Sequence, residues 1–133
     1  MKLPIITERL ILRKLTLDDV DNIFLLDSNP DVMKYVGVPI ASSKEESKKL
    51  IENILHQYEK NGTGRLAVIE KETNKFIGWS GIKLLTEEVN GFNNVYELGY
   101  RFLPEFWRKG YATESAKASL DLGFNQLNAD KIY

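Results

Sequence analysis

The chain has 133 residues, 43% of them hydrophobic and 28% charged, a size and balance that suit one globular domain with a continuous core. Eighteen basic residues against nineteen acidic ones leave a formal charge of −1, so no overall positive field is available to hold a nucleic-acid backbone. With no cysteine and one histidine the chain has neither a disulfide framework nor a thiolate or histidine metal set, and no apolar run approaches the roughly 20 residues that span a bilayer.

The opening Met1-Lys2-Leu3-Pro4-Ile5-Ile6-Thr7-Glu8-Arg9 lacks the apolar core and cleavage site of a secretory signal, and a cytoplasmic protein is expected. Leu10, Leu12 and Leu15 alternate with Ile11 and Arg13, which predicts a first strand near residues 8–15. Thr16 reads as a helix N-cap, with Asp18 and Asp19 in the first turn and Val20, Ile23, Phe24 and Asp27 at helical spacing, in a helix that ends before Asn29-Pro30. A short turn or helix over 31–36, carrying Met33, Tyr35 and Val36, leads into a Gly37-Val38-Pro39 break. Ser43 and Glu46 have capping-box spacing, and Leu50, Ile51, Ile54, Leu55 and Tyr58 form one apolar stripe, so a second helix is predicted over 44–60. Strands over 66–69 and 76–85, joined by the polar turn 70–75, form a hairpin, and a third strand follows over 95–103. The last helix is predicted over 111–127 with Ala112, Ala116, Leu120, Phe124 and Leu127 on its buried face.

The resulting order, β-α-α-β-β-β-α-β, is that of an α/β or α+β sandwich in which helices cover a central sheet, and residues 1–133 read as a single domain. Ile132-Tyr133 opens a strand that a usual length of about 5–6 residues would carry further.

The densest chemical signal is the segment from Glu97 through Gly99, Arg101, Leu103 and Trp107 to Arg108-Lys109-Gly110-Tyr111-Ala112-Thr113-Glu114, where a strand enters a tight turn and the turn opens a helix. The first N–H groups of such a helix have no partner within it and sit at the positive end of its dipole, which favours a phosphate. Gly110 and Ala112 keep bulk away from the backbone, and Arg108 and Lys109 add positive charge. The same features also fit an ordinary strand-to-helix connection with basic surface residues.

This stretch resembles the coenzyme A-binding motif of the GNAT acetyltransferases: Gln or Arg, two residues, Gly, one residue, then Gly or Ala. Gly110 and Ala112 match it, with Trp107 at the leading position and Arg108 one place later. Phe106 to Glu114, the opening Thr7-Glu8-Arg9-Leu10-Ile11-Leu12-Arg13 and the middle Phe76-Ile77-Gly78-Trp79-Ser80-Gly81-Ile82 are similar to the branch of ribosomal-protein N-terminal alanine and serine acetyltransferases. The resemblance implies the acyl-CoA N-acyltransferase fold, a mixed and mostly antiparallel sheet flanked by helices, here lacking its last strands. It implies acetyl transfer from acetyl-CoA, with no metal, to a primary amine such as a protein N-terminus or a small amine. It places the coenzyme on Arg108, Lys109, Gly110, Tyr111, Ala112 and Thr113, and the pantetheine arm on the backbone of Phe102 and Leu103. A lysine-like amine with a pKa of about 10.4 must lose a proton first, at on the order of 4–5 kcal/mol at pH 7, so a base is needed. Glu97 is the candidate base and Tyr100 its polar alternative, with a solvated strand-edge carboxylate as the other reading of Glu97. In the family the chain continues beyond the equivalent of Tyr133. A chain without that part is expected to bind coenzyme less well or to pair its sheet edge with a second copy as a homodimer. The alternative function is a non-catalytic coenzyme A-binding or self-associating module, and a further one is a small α/β domain binding another phosphorylated ligand through the same helix N-terminus.

Other features have plainer readings. Gly62-Thr63-Gly64 follows a helix and precedes a strand, the reverse of a dinucleotide-binding loop. His56 and the charged run Lys44 to Lys49 read as the solvated face of the second helix. Trp79, Phe106 and Trp107 read as packing residues, the latter two bordering the coenzyme groove in the resembled family. Asn29, Tyr35 and the residues up to Val38 fall where that family binds its acceptor.

Overall fold

The computed structural model describes residues 1–34, 36, 38–85 and 94–133. Five strands, β1 (Ile5–Ile6), β2 (Leu10–Lys14), β3 (Arg65–Glu70), β4 (Lys75–Leu85) and β5 (Val95–Phe102), form one sheet in chain order. Every neighbouring pair is antiparallel. Helices α1 (Val20–Asp27), α2 (Pro30–Met33) and α3 (Lys44–Asn61) lie between β2 and β3 in the sequence, and α4 (Tyr111–Asn125) follows β5. The α/β architecture is the expected one, with β1 as an unanticipated addition.

Strand alternation sorts side chains onto two faces. Arg65, Trp79 and Arg101 point to the side covered by α1 and α3, where Arg101 reaches Asp27 of α1. Glu70 and Ser80 point to the side covered by α4, where they meet Tyr111 and Ser119. Leu10, Leu12, Leu66 and Val68 are buried in the sheet, and Ile23, Leu26, Ile51 and Ile54 bury the helix stripes against it. Tyr58 fixes α3 to the sheet: its hydroxyl donates to the Arg65 carbonyl and accepts from the Leu15 N–H at 3.1 Å. Burial pushes that phenol up to about 12.

Caps set the helix starts. The Thr16 side chain accepts from the Asp18 N–H and opens a single 3₁₀ turn, Leu17–Asp19, that runs into α1. Ser43 accepts from the Glu46 N–H, as predicted, but the reciprocal bond goes elsewhere: the Glu46 carboxylate takes the N–H and hydroxyl of Ser42. The short helix after Asn29 is Pro30–Met33, and Tyr35 and Gly37 fall outside the described residues.

One expectation needs correction. α4 ends at Asn125 and buries Tyr111, Ser115, Ser119, Leu122 and Gly123, whereas the predicted Phe124 is 46% exposed. Small residues are needed there because α4 lies close to the sheet; a Cβ on Gly123 would sit 2.4 Å from Ile132. The closing segment forms a parallel bridge, Tyr96 to Ile132, with Leu98 donating to the Tyr133 carbonyl at 2.8 Å and Tyr133 to the Tyr96 carbonyl at 2.9 Å.

Candidate active site

The turn between β5 and α4 has a distinctive backbone. Arg108 and Gly110 both adopt positive φ, 61° and 81°. For arginine that conformation is strained, and a turn of this kind directs successive N–H groups into one concavity. Gly110 occupies the N-cap position of α4 and offers no side-chain cap, in contrast to Ser43 on α3. The first bond inside α4 runs from the Glu114 N–H to the Gly110 carbonyl, so the N–H groups of Tyr111, Ala112 and Thr113 stay open among the described residues. They line a cavity of about 510 Å³ together with Arg108, Phe106 and Trp107. An uncapped helix start facing a cavity with a basic residue at its rim fits a phosphate.

The turn is held from below by Arg9. Its guanidinium donates to the Lys109 carbonyl and to Glu114, each at 2.7 Å, and lies 4.4 Å from the centre of the Tyr111 ring. Glu114 also accepts from Thr7 Oγ1 at 2.5 Å and from the Arg9 N–H at 2.8 Å. Burial alone would raise the Glu114 pKa, but these donors outweigh it and hold the carboxyl below its usual range. Tyr111 donates its hydroxyl to Glu70 at 2.5 Å, which raises the phenol above its ordinary value.

The edge of β5 supplies the second element. Leu98 bonds outward to Tyr133, so by the alternation of an antiparallel ladder Gly99 and Arg101 bond to β4 while Tyr100 and Phe102 face the free edge. The Phe102 carbonyl accepts from Trp107 Nε1 at 2.8 Å. The N–H groups of Tyr100 and Phe102 have no partner among the described residues.

A second cavity of about 380 Å³ lies on the opposite face, between α1, α3 and the sheet. Trp79 lines it, and its indole has the Arg65 and Arg101 guanidiniums each 5.1 Å from its centroid. Arg101 bonds Asp27 at 2.7 Å and Arg65 bonds Glu97 at 2.8 Å. Gly99 makes room for the Arg65 head, since a Cβ there would lie 2.9 Å from it. Two polar atoms in the cavity wall, Ser47 Oγ and Gln57 Oε1, are buried without a hydrogen-bond partner among the described residues. Buried polar groups are rarely left this way, and a polar ligand is one resolution. Arg101 is the one described residue that lines both cavities, with its guanidinium on the side of the second.

The expected site residues therefore separate into groups. Arg108, Gly110, Tyr111, Ala112, Thr113 and Phe102 line the first cavity with Tyr100. Lys109 does not line it; its ammonium lies over the Phe106 ring at 5.6 Å. Leu103 is corrected in one respect: its N–H is taken by the Ile77 carbonyl at 3.0 Å, and Tyr100 supplies the other outward-facing backbone group. Glu97 and Tyr100 stand on opposite faces of the sheet, and the Glu97 carboxylate is committed to Arg65. Sequence reading missed Asp27, Arg65, Arg101 and Arg9. Nothing local marks them, because their partners lie many residues away in the chain.

Residues 9–133 match the family model described as "Acetyltransferase (GNAT) domain". A Bacillus licheniformis protein named "Uncharacterized N-acetyltransferase p20" is 32% identical over 126 residues, which is 95% of this chain and 68% of that one. The spermidine N(1)-acetyltransferase of Escherichia coli strain K12 is 30% identical over 122 residues, 92% of this chain and 61% of that one. Among solved structures, an acetyltransferase from Agrobacterium tumefaciens aligns with a TM-score of 0.80 at 27% identity, over 99% of this chain and 72% of that one. The spermidine N-acetyltransferase of Vibrio cholerae, solved with CoA and spermine, aligns with a TM-score of 0.75 at 27% identity, over 95% and 70%.

Proposed function

The chain belongs to the acetyltransferase (GNAT) family and is an acetyl-CoA-dependent acyltransferase; from that premise we propose that it transfers the acetyl group directly to a primary amine held in the cavity beside Trp79. The observation that carries this reading is that two unlike cavities share Arg101 in their walls. One has an uncapped helix start and a free strand edge, which suit a pyrophosphate and an extended amide-bearing arm. The other is closed by helices and lined by an aromatic ring and unpaired polar atoms, which suit an acceptor.

Acetyl-CoA supplies an activated acyl carbon; the rest is binding and alignment by this chain. The N–H groups of Tyr111, Ala112 and Thr113 hold the pyrophosphate, with Arg108 beside them. The N–H groups of Tyr100 and Phe102 hydrogen-bond the pantetheine arm and the acyl oxygen, where fixed donors stabilise charge as it develops. Across the sheet the indole of Trp79 and the hydroxyl of Ser47 position the acceptor.

The acceptor is an N-terminal amine of a protein or a small amine. The similarity to ribosomal-protein acetyltransferases in the Thr7 to Arg13 and Phe106 to Glu114 segments supports the first. The similarity to spermidine acetyltransferases supports the second. Charge favours an acceptor with few positive charges: Asp27 and Glu97, two of the carboxylates at or beside the cavity, are already ion-paired with Arg101 and Arg65.

Calorimetric titration with acetyl-CoA, repeated in the presence of ADP, tests the coenzyme site. Saturable one-to-one binding that ADP weakens only by simple competition is expected. Binding of ADP without binding of acetyl-CoA would make the cavity a nucleotide site and end the proposal.

A further inference from the structure

Asp27 combines three properties that no other described carboxylate has together. It is 7% exposed, it lines the cavity assigned to the acceptor, and it bonds the arginine that also lines the coenzyme cavity. Only Oδ1 is engaged, by Arg101 Nη1 at 2.7 Å; Oδ2 has no partner among the described residues. The Asp27 carbonyl accepts from the Ala41 N–H at 3.0 Å, which ties the end of α1 to the chain leading into α3 and fixes the carboxylate's origin.

We propose that Asp27 is the general base that receives the proton of the acceptor's ammonium, and that Arg101 positions it. This rests on the acyl-transfer reading above. In the step, an N–H bond of the ammonium breaks and Asp27 Oδ2 takes the proton. The freed electron pair forms the C–N bond to the acyl carbon as the C–S bond breaks. The departing sulfur takes the second proton from nitrogen, and Asp27 returns its own to solvent. The sum is acetylated amine, free thiol and one proton.

Several charged groups bear on the Asp27 carboxylate. Arg101 on β5 touches it, while Arg65 on β3, Lys83 on β4 and Glu46 on α3 line the same cavity. Desolvation raises its pKa, and the hydrogen bond and charge of Arg101 only partly offset this. A raised value makes the carboxylate a stronger base than a solvated one. Glu97, the alternative, is 43% exposed at its side chain and held by Arg65.

The test uses two acceptors, an alkylamine and an arylamine, with the full chain and acetyl-CoA. Asp27→Asn should cut kcat/KM by about 10²-fold or more for the alkylamine, and by less than about 10-fold for the arylamine, which is already unprotonated at neutral pH. The acetyl-CoA dissociation constant should not change. Should Asp27→Asn fail to fold, Arg101→Gln serves instead: losing the guanidinium should move the acidic limb of the kcat/KM profile to higher pH, while Glu97→Gln leaves it in place. Equal losses with both amines, or a limb that moves in Glu97→Gln and stays in Arg101→Gln, would overturn the assignment to Asp27. An unmodified chain that binds acetyl-CoA but acetylates neither amine would sink the acyl-transfer reading itself.

Discussion

Gly110 is where the chemistry is most sensitive to a single side chain. Its φ of 81° is one that L-residues adopt rarely, and a Cβ there would stand 3.2 Å from the Arg9 guanidinium. Gly110→Val should therefore weaken acetyl-CoA binding by about tenfold or more, since β-branching adds strain of roughly 1–3 kcal/mol at such a position. Titration of the variant against the parent checks this, and unchanged affinity would remove the turn from the coenzyme site. Gly110 and Ala112 stand out in the sequence because a turn proposed to receive a phosphate needs small residues at fixed spacing. Asp27 does not, since its place in register with Val20, Ile23 and Phe24 gives a carboxylate there no partner that the local sequence reveals. Its pairing appears only when β5 brings Arg101 to within 2.7 Å across 74 positions of sequence. Glu97 drew attention because it stands on the right strand, yet its side chain faces Arg65.

At the scale of elements, α4 does two jobs that place different demands on one helix. Its start must stay uncapped to present N–H groups, and its body must lie close to the sheet. The second demand explains the misread face: Ser115, Ser119 and Gly123 recur every four residues against β4 and Ile132, where bulk would clash, so size rather than apolarity decides burial. The first demand leaves the turn in need of another support, which Arg9 gives from the start of β2. Arg9→Ala should raise the acetyl-CoA dissociation constant by about tenfold, as loss of a charge-assisted bond implies, with little change in unfolding temperature because the side chain is 41% exposed. Parallel calorimetry and thermal unfolding separate the two effects. A large fall in unfolding temperature with unchanged affinity would show that Arg9 only ties α4 to the sheet. The helices, the hairpin and β5 were readable from periodicity and caps, whereas β1, only two residues long, is defined by its pairing with β2 and leaves no period to detect.

Across the whole molecule, the sheet separates two cavities of different character. In the proposed reading, α4 and its turn hold the phosphate-bearing ligand at one face of β5 and α1 and α3 enclose the acceptor at the other, and Arg101 lines both cavities. Such an arrangement aligns two reactants, and alignment of this kind accounts for a large share of the rate of an acyl transfer. Both sides are proposed to act in one reaction. Free thiol released from acetyl-CoA at increasing amine concentration tests this, with the acetylated amine counted by mass spectrometry in the same sample. One thiol per acetylated amine and saturation in both reactants are expected; saturable coenzyme binding with thiol release that ignores the amine would rule out a joint reaction.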